Sequence, residues 1–369
     1  MINVFSPSVG QDELLAIADS FNMNWIGKGP KVIEFEAAWA QHIGVSPENV
    51  VSVNCATEGL FQVFSLLSPD EVIIPSIHFI GAAQAVISTG ATPIFCDVDK
   101  HTLNPTLEHI QQKYTRKVEA VCLLHYGGVA QELDAIRQWC DDKHIWLIED
   151  AACSPATVYK GKVAGTWGHF GVWSFDSMKI ISTGDGGMIY CENPKHTKEL
   201  RKRLYLGMDS TSGLSSQNER WWEFGVSGMG RRAIMNDLAA GMGLEQLKKL
   251  PEFIRRRGQL YIAYDNRLLD GTPCFMPPNN PTRAELSFYF YWIQTPHRDD
   301  LAKFLRSQQI YCTFRYYPLH RVFKTDDNLP GVDYAADNTL LLPLHCNLTD
   351  EQVNFVCEKV KEFYELPGN

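Results

Sequence analysis

Short apolar runs bounded by charged or turn residues recur through the first half of the chain, at Val50–Val53, Glu71–Pro75, Thr92–Cys96, Val118–Leu124 and Ile145–Ile148. Runs of this length predict strands buried on both faces. Around them lie stretches of helical period: residues 10–22, Val32–Ile43 with Phe35, Ala38, Trp39 and Ile43 on one side, a helix opened by Asn54–Leu60, then Thr106–Gln112 and Ala130–Lys143. Alternation of strand and helix from residue 50 to 150 predicts a parallel sheet with right-handed crossovers. Two further strands, Phe170–Phe175 and Met188–Cys191, are separated by the turn sequence Gly184-Asp185-Gly186-Gly187. Lys195–Tyr205 reads as a basic helix, and Leu244–Leu269 as a long helix interrupted near Pro251. Beyond it come a strand at Leu286–Gln294, a helix at Arg298–Ser307, a strand at Ile310–Phe314 and a closing helix at Asp350–Tyr364. The pattern predicts an α/β fold in two units, a large domain over 1–248 and a smaller α+β domain over 249–369.

Composition narrows the class. The chain has 369 residues, 45% hydrophobic and 21% charged, enough apolar material for a sizeable core. A formal net charge of −9 argues against nucleic acid or an anionic membrane as partner. The N-terminal MINVFSPSVGQDELL lacks the pattern of a secretory signal, and no stretch reaches the roughly 20 apolar residues of a spanning helix. The ten cysteines are scattered without a Cys-x-x-Cys pair, which predicts reduced thiols in a cytoplasmic protein and no zinc site.

Candidate chemistry gathers between residues 145 and 190. Asp150 stands at the end of a predicted buried strand, the edge where open α/β sheets bind ligands. Ser174 ends the next strand, and Lys179 follows before the glycine turn. An amine, a carboxylate and phosphate donors are what pyridoxal phosphate requires. Singly, each has an ordinary alternative: a solvated lysine, a helix-capping aspartate. Ala56 and Thr57 open a helix directly after a strand, a recipe for anion binding or for a simple cap by Asn54 or Thr57. Phe79 is either a stacking platform or core.

The wording of several segments goes further. EDAA at 149–152, YKGKVAGTWGHFGVWSF, K-x4-GDGGM and GMGRRAIMNDLAAGMGLEQLKKL together resemble the DegT/DnrJ/EryC1/StrS family of sugar aminotransferases, fold-type-I pyridoxal phosphate enzymes. The resemblance implies a mostly parallel seven-stranded sheet in the large domain. It implies that Asp150 pairs with the pyridine nitrogen, Ser174 touches the phosphate and Lys179 holds the cofactor through its amine. Ala56 and Thr57 fall in the phosphate-binding turn, which is matched loosely, and Phe79 inherits ring stacking. Cys153 stands where Gln or His is common near the cofactor, Asp185 where Glu is usual, and His78 where Thr is usual.

Arg232 aligns with an asparagine that reaches the cofactor phosphate of the neighbouring subunit, with Arg231 as the other possible register. Lys28 in the loop Asn24–Pro30, together with Arg315, Tyr316 and His320, becomes a candidate for the substrate side. The implied assembly is a homodimer with shared active sites, to which the long polar segment 208–232 and its Trp221-Trp222 pair contribute. The implied reaction moves an amino group, with glutamate as donor, to C-4 or C-3 of a nucleotide-linked keto-6-deoxyhexose, passing through pyridoxamine 5'-phosphate. Its products serve surface polysaccharide such as lipopolysaccharide O-antigen, or other glycoconjugates. A cyclitol or other keto acceptor, and a non-enzymatic sensor on the same scaffold, remain as rivals; no metal is implied.

Overall fold

The computed structural model describes residues 1–208, 219–269, 272–277 and 284–366. Helices α1 (Gln11–Asn22) and α2 (Pro30–Ile43) precede strand β1 (Val50–Val53), which feeds helix α3 (Ala56–Leu67). Next come β2 (Glu71–Pro75), α4 (Ile80–Ile87), β3 (Thr92–Cys96), α5 (Leu107–Gln112), β4 (Val118–Leu124), α6 (Leu133–Lys143) and β5 (Trp146–Asp150). A small hairpin of β6 (Val158–Tyr159) and β7 (Lys162–Val163) leads to β8 (Phe170–Ser174), β9 (Gly187–Cys191) and α7 (Pro194–Arg203).

Seven of these strands form one sheet in the order β1-β9-β8-β5-β4-β2-β3. Only β9 runs against its neighbours; it is antiparallel to both β1 and β8. The remaining pairs are parallel, so β1, β2, β4, β5 and β8 all end on one edge. Helices cover both faces, and the strands are accordingly apolar on both, as parallel sheets require. Packing on one face centres on Trp39, whose ring lies 5.5 Å from that of Trp173 and 5.0 Å from that of Phe175. Each such fully buried side chain contributes roughly 1.5–3 kcal/mol of transfer free energy.

Helix α8 (Asp237–Leu268) is one unbroken rod of 32 residues. This corrects the expected helix over Leu244–Leu269 with a break at Pro251: the helix starts earlier, capped by the Asn236 side chain on Ala239 N–H, and continues through the proline. Pro251 is exposed and removes one donor from the ladder without ending it. The second half of α8, with Leu260, Tyr261, Tyr264 and Leu268, packs into a separate apolar cluster. That cluster also holds β10 (Tyr291–Gln294), α9 (Arg298–Ser307), β11 (Thr339–Leu342) and α12 (Asp350–Glu365), with α10 (Leu319–Phe323) and α11 (Pro330–Asn338) lying between α9 and β11 in the chain.

β10 and β11 form an antiparallel pair, so the expected strand Leu286–Gln294 shortens to its last residues. Ile310–Phe314 is not a strand: it makes only single bridges, from Ile310 to Ile2 and from Thr313 to Leu341. Among the described residues no helix is long and apolar enough to cross a membrane, no group of three or more His, Cys, Asp or Glu is placed to hold a metal ion, and the ten cysteines are all free.

Candidate active site

A cavity of about 230 Å³ opens where the parallel strands end. Asp150, the last residue of β5, lines it and is 5% exposed. Its Oδ1 accepts the Ala152 N–H at 3.0 Å, and its main-chain carbonyl accepts His125 N–H at 3.3 Å. Successive side chains of a strand face opposite ways, and the preceding residue, Glu149, turns away from the cavity and is fully buried. Glu149 accepts the N–H groups of Gly165 at 2.7 Å and Gly168 at 2.5 Å, and its Oε2 lies 2.8 Å from His125 Nε2. Gly165 has φ +98°, and a Cβ there would meet the Trp173 ring at 2.2 Å. The glycines of the KGKVAGTWG stretch are therefore the backbone that seats Glu149 beneath the acid of the cavity.

β8 delivers Ser174, half-buried at its end, and Lys179 lies in the turn that follows. Lys179 Nζ sits 4.9 Å from the centroid of the Tyr289 ring. Burial pulls the ammonium toward its neutral form, but Tyr289, Tyr316, Cys153 and Asp150 pull harder the other way, and its pKa lies well above the ordinary lysine value. The tyrosines and the thiol act so only as anions at high pH; near neutrality Asp150 is the charge that counts.

The opposite end of the cavity is the N-terminus of α3, with Cys55, Ala56 and Thr57 on the wall. Cys55 caps the helix, its Sγ accepting Glu58 N–H at 3.4 Å. Free amides and the positive end of the helix dipole there favour an anion. The GDGG turn closes against this end: a Cβ on Gly187 would lie 2.8 Å from Ala56 N, so only glycine lets β9 approach. Asp185 also lines the cavity, with burial pushing its carboxyl above the usual range. Phe79, 45% exposed, presents its ring to the space and meets Tyr316 edge-on at 5.8 Å.

Of the residues expected from the sequence, Ala56, Thr57, Phe79, Asp150, Ser174, Lys179, Arg315 and Tyr316 line this one cavity. Cys153 does not: it is fully buried behind the wall, where burial raises its thiol to about 11. His320 does not reach it either. It is buried on α10, its Nδ1 2.8 Å from Ser76 Oγ and its Nε2 3.4 Å from Asp333, which ties α10 to the chain leaving β2.

Lys28 and Arg232 line a different, larger space of about 710 Å³, together with Trp25, Arg201 and Tyr205. Arg232 lies over the Tyr205 ring at 5.1 Å, while Arg231 pairs with Glu58 at 3.1 Å. The expected intersubunit segment 208–232 lies partly outside the described residues; within them Trp221 and Trp222 touch edge-on and are each more than half exposed. Sequence reasoning missed Tyr289, Asp176 and Met178. The aromatic run of 286–294 was the one signal for Tyr289, and nothing local marked the other two.

The set fits pyridoxal phosphate on its donors: an amine, a buried carboxylate with one oxygen held, a helix N-terminus for the phosphate and a flat aromatic face for the ring. A site of this kind at the carboxyl edge of a mixed seven-stranded sheet defines an aminotransferase that works with pyridoxal phosphate. The chain belongs to the DegT/DnrJ/EryC1/StrS aminotransferase family, whose model matches residues 7–361. It is 45% identical to a dTDP-4-dehydro-2,3,6-trideoxy-D-glucose 4-aminotransferase of Saccharopolyspora spinosa, over 99% of this chain and 97% of that one. It is 28% identical to a GDP-perosamine synthase of Escherichia coli O157:H7, over 98% of each. The crystal structure of an aminotransferase, TlmJ, from Streptoalloteichus hindustanus superposes with a TM-score of 0.94 at 45% identity, covering 98% of each chain.

Proposed function

We propose that this enzyme aminates C-4 of a dTDP-linked keto-6-deoxyhexose, with glutamate as amino donor. The observation that carries the reading is the full-length 45% likeness to an enzyme named for C-4 amination of a dTDP-linked keto-sugar, on a chain whose cavity assembles the required amine and carboxylate. Bound pyridoxal phosphate supplies an electron-withdrawing ring that accepts the electron pair released when the C–H bond beside the amine breaks.

The chain supplies the rest. Lys179 Nζ would hold the cofactor and, once the donor amine had displaced it, would move the proton from the donor's amino carbon to the cofactor's C4′ carbon, and in the opposite direction when the keto-sugar is aminated. Asp150 keeps a proton on the ring nitrogen by charge pairing. Thr57, Ser174 and the amides opening α3 bind the phosphate, and Phe79 fixes the plane of the ring. Arg315 is suited to the donor's carboxylate: it lies over the Phe5 ring at 4.7 Å, gives an N–H to the Met178 sulfur at 3.2 Å and pairs with no carboxylate among the described residues.

The same proposal includes a homodimer in which the basic cavity of Lys28 and Arg232 faces the partner's site, a cytoplasmic location, and amino sugars destined for surface polysaccharide such as O-antigen, or for other glycoconjugates. It also retains the division into units 1–248 and 249–369, with the boundary inside α8. Incubation with pyridoxal phosphate, glutamate and a panel of dTDP-, UDP- and GDP-linked 3-keto and 4-keto sugars, read by mass, tests it. Amination confined to a dTDP-linked 4-keto sugar is the expected result. Turnover of cyclitol ketones alone overturns the substrate class, and binding without any turnover favours a sensor.

A further inference from the structure

His78 is fully buried beside the cavity wall, and its Nε2 has no hydrogen-bond partner. Asp150 Oδ2 is 3.8 Å from that nitrogen. The other ring nitrogen, Nδ1, lies 3.2 Å from the Phe79 carbonyl oxygen. Both neighbours only accept, and a neutral imidazole carries one ring proton, so one of the two goes unserved. Asp150 meanwhile has Oδ1 occupied by the Ala152 N–H and Oδ2 without a protein donor in bonding range. A donor-capable nitrogen and an acceptor thus stand about an ångström beyond hydrogen-bond length. Buried polar atoms left in this way are rare in folded proteins and call for an explanation.

The groups facing the ring come from three places: Asp150 at the end of β5, Lys179 after β8, and the Phe79 carbonyl opening α4. Burial lowers the imidazole pKa and Lys179 lowers it further, against the pull of Asp150 and of that carbonyl. The net direction is down, leaving a neutral ring whose single proton chooses between a carbonyl and a carboxylate. The charged acceptor makes the stronger bond.

We propose that His78 is a positioning residue for Asp150: in the cofactor-bound enzyme its Nε2–H donates to Oδ2 and fixes the rotation of the carboxylate against the ring nitrogen of pyridoxal phosphate. His78 acts on the chemistry only through Asp150, so the assignment rests on the role proposed for that carboxylate above. With Oδ1 held by Ala152 and Oδ2 by His78, the carboxylate plane is set from both sides. The family resemblance puts threonine at this position, and this chain has the imidazole donor there.

The test loads wild type, His78→Phe, His78→Gln and Asp150→Asn with pyridoxal phosphate carrying ¹⁵N at the ring nitrogen, and records that resonance together with turnover. Wild type should show a protonated ring and a downfield Nε2–H proton from His78. His78→Phe keeps the bulk but removes the donor; its ring resonance should move toward the unprotonated position, and kcat should fall about tenfold, the scale at which partners behind a site's direct contacts count, with the donor's KM little changed. His78→Gln, which offers an amide donor, should recover part of both.

A His78→Phe enzyme matching wild type in resonance and kcat overturns the role of His78, provided Asp150→Asn shifts the resonance. An unshifted Asp150→Asn spectrum overturns the reading of Asp150 itself. Should His78→Phe not fold, the wild-type spectrum decides: no downfield Nε2–H in the loaded enzyme overturns the proposal.

Discussion

His125 Nε2 and Glu149 Oε2 lie 2.8 Å apart with both side chains fully buried. Gln131 directs its Oε1 at His125 Nδ1, at 2.7 Å, because its amide nitrogen is already given to Leu124 O and Asn104 Oδ1. Both ring nitrogens of His125 therefore face oxygen atoms of buried side chains. Such a pair must be satisfied on every side to be tolerable in a core, and here the glycine amides complete it.

Removing the charge from that pair should be costly. Glu149→Gln leaves the His125 ring facing an amide and weakens the bonds from Gly165 and Gly168; we expect a loss of about 3–5 kcal/mol, as for other broken buried pairs. Urea unfolding of the apoprotein measures it. A loss under about 1 kcal/mol would mean that the pair is not ionic.

Lys179→Ala should abolish both the visible absorbance of the lysine-bound cofactor and all turnover, with the far-ultraviolet circular dichroism spectrum unchanged. In the proposed mechanism the side chain serves the cofactor rather than packing. Retained turnover in this variant removes the mechanism.

Asp150→Asn should still bind cofactor yet slow transfer by orders of magnitude, since a neutral amide no longer favours the ring proton. Single-turnover kinetics with glutamate read this directly. A rate within about threefold of wild type, under ~1 kcal/mol of barrier, would deny Asp150 that part.

Acid should weaken the fold through His345, whose imidazole is lowered to about 4, first by burial and then by Arg257. The unfolded chain binds this proton near the ordinary value of about 6.5. The contribution is therefore complete above that value and is lost as pH falls toward and through 4, by a few kcal/mol at most. Unfolding free energies at pH 7, 5.5 and 4.5 should show a shallower slope in His345→Gln than in wild type. Parallel slopes would assign the acid sensitivity to other groups.

If the sites are shared, subunits carrying Arg232→Ala and Lys179→Ala should complement one another. Each homodimer is weak or inactive, whereas the mixed dimer regains one site with wild-type Lys179 and Arg232 on opposite chains. Activity assays on verified mixed dimers give the answer, and no recovery would place the whole site within one chain.

Much of this site was legible along the chain because a parallel sheet puts its strand ends on one edge. Once 145–148 and 170–175 read as buried strands, Asp150 and Ser174 had to be near each other. Helix α4 escaped notice because Gly81, Ala82, Ala83, Ala85 and Val86 are all buried, leaving no polar stripe to mark its period. Ile310–Phe314 has the composition of a strand but finds partners only at its two bridging residues. Cys153 stands next to a wall residue, Ala152, yet faces the interior, a reversal that no spacing rule in a loop encodes. His78 and Asp150 meet only through the pairing of β2 and β5 with the strand between them, so their relation belongs to topology rather than to any motif.

One end of α8 bears on the loop that holds Lys28. Asp237 at its first turn accepts the N–H groups of Gly29 at 2.8 Å and Val32 at 3.1 Å, and gives its own N–H to Gly27 O at 2.8 Å. The rod then runs 32 residues, about 48 Å at 1.5 Å per residue, into the C-terminal cluster. With no break along that length, the Lys28 loop and the C-terminal cluster are anchored to one continuous element, so the position of the loop is set by the same helix that forms the core of the smaller unit.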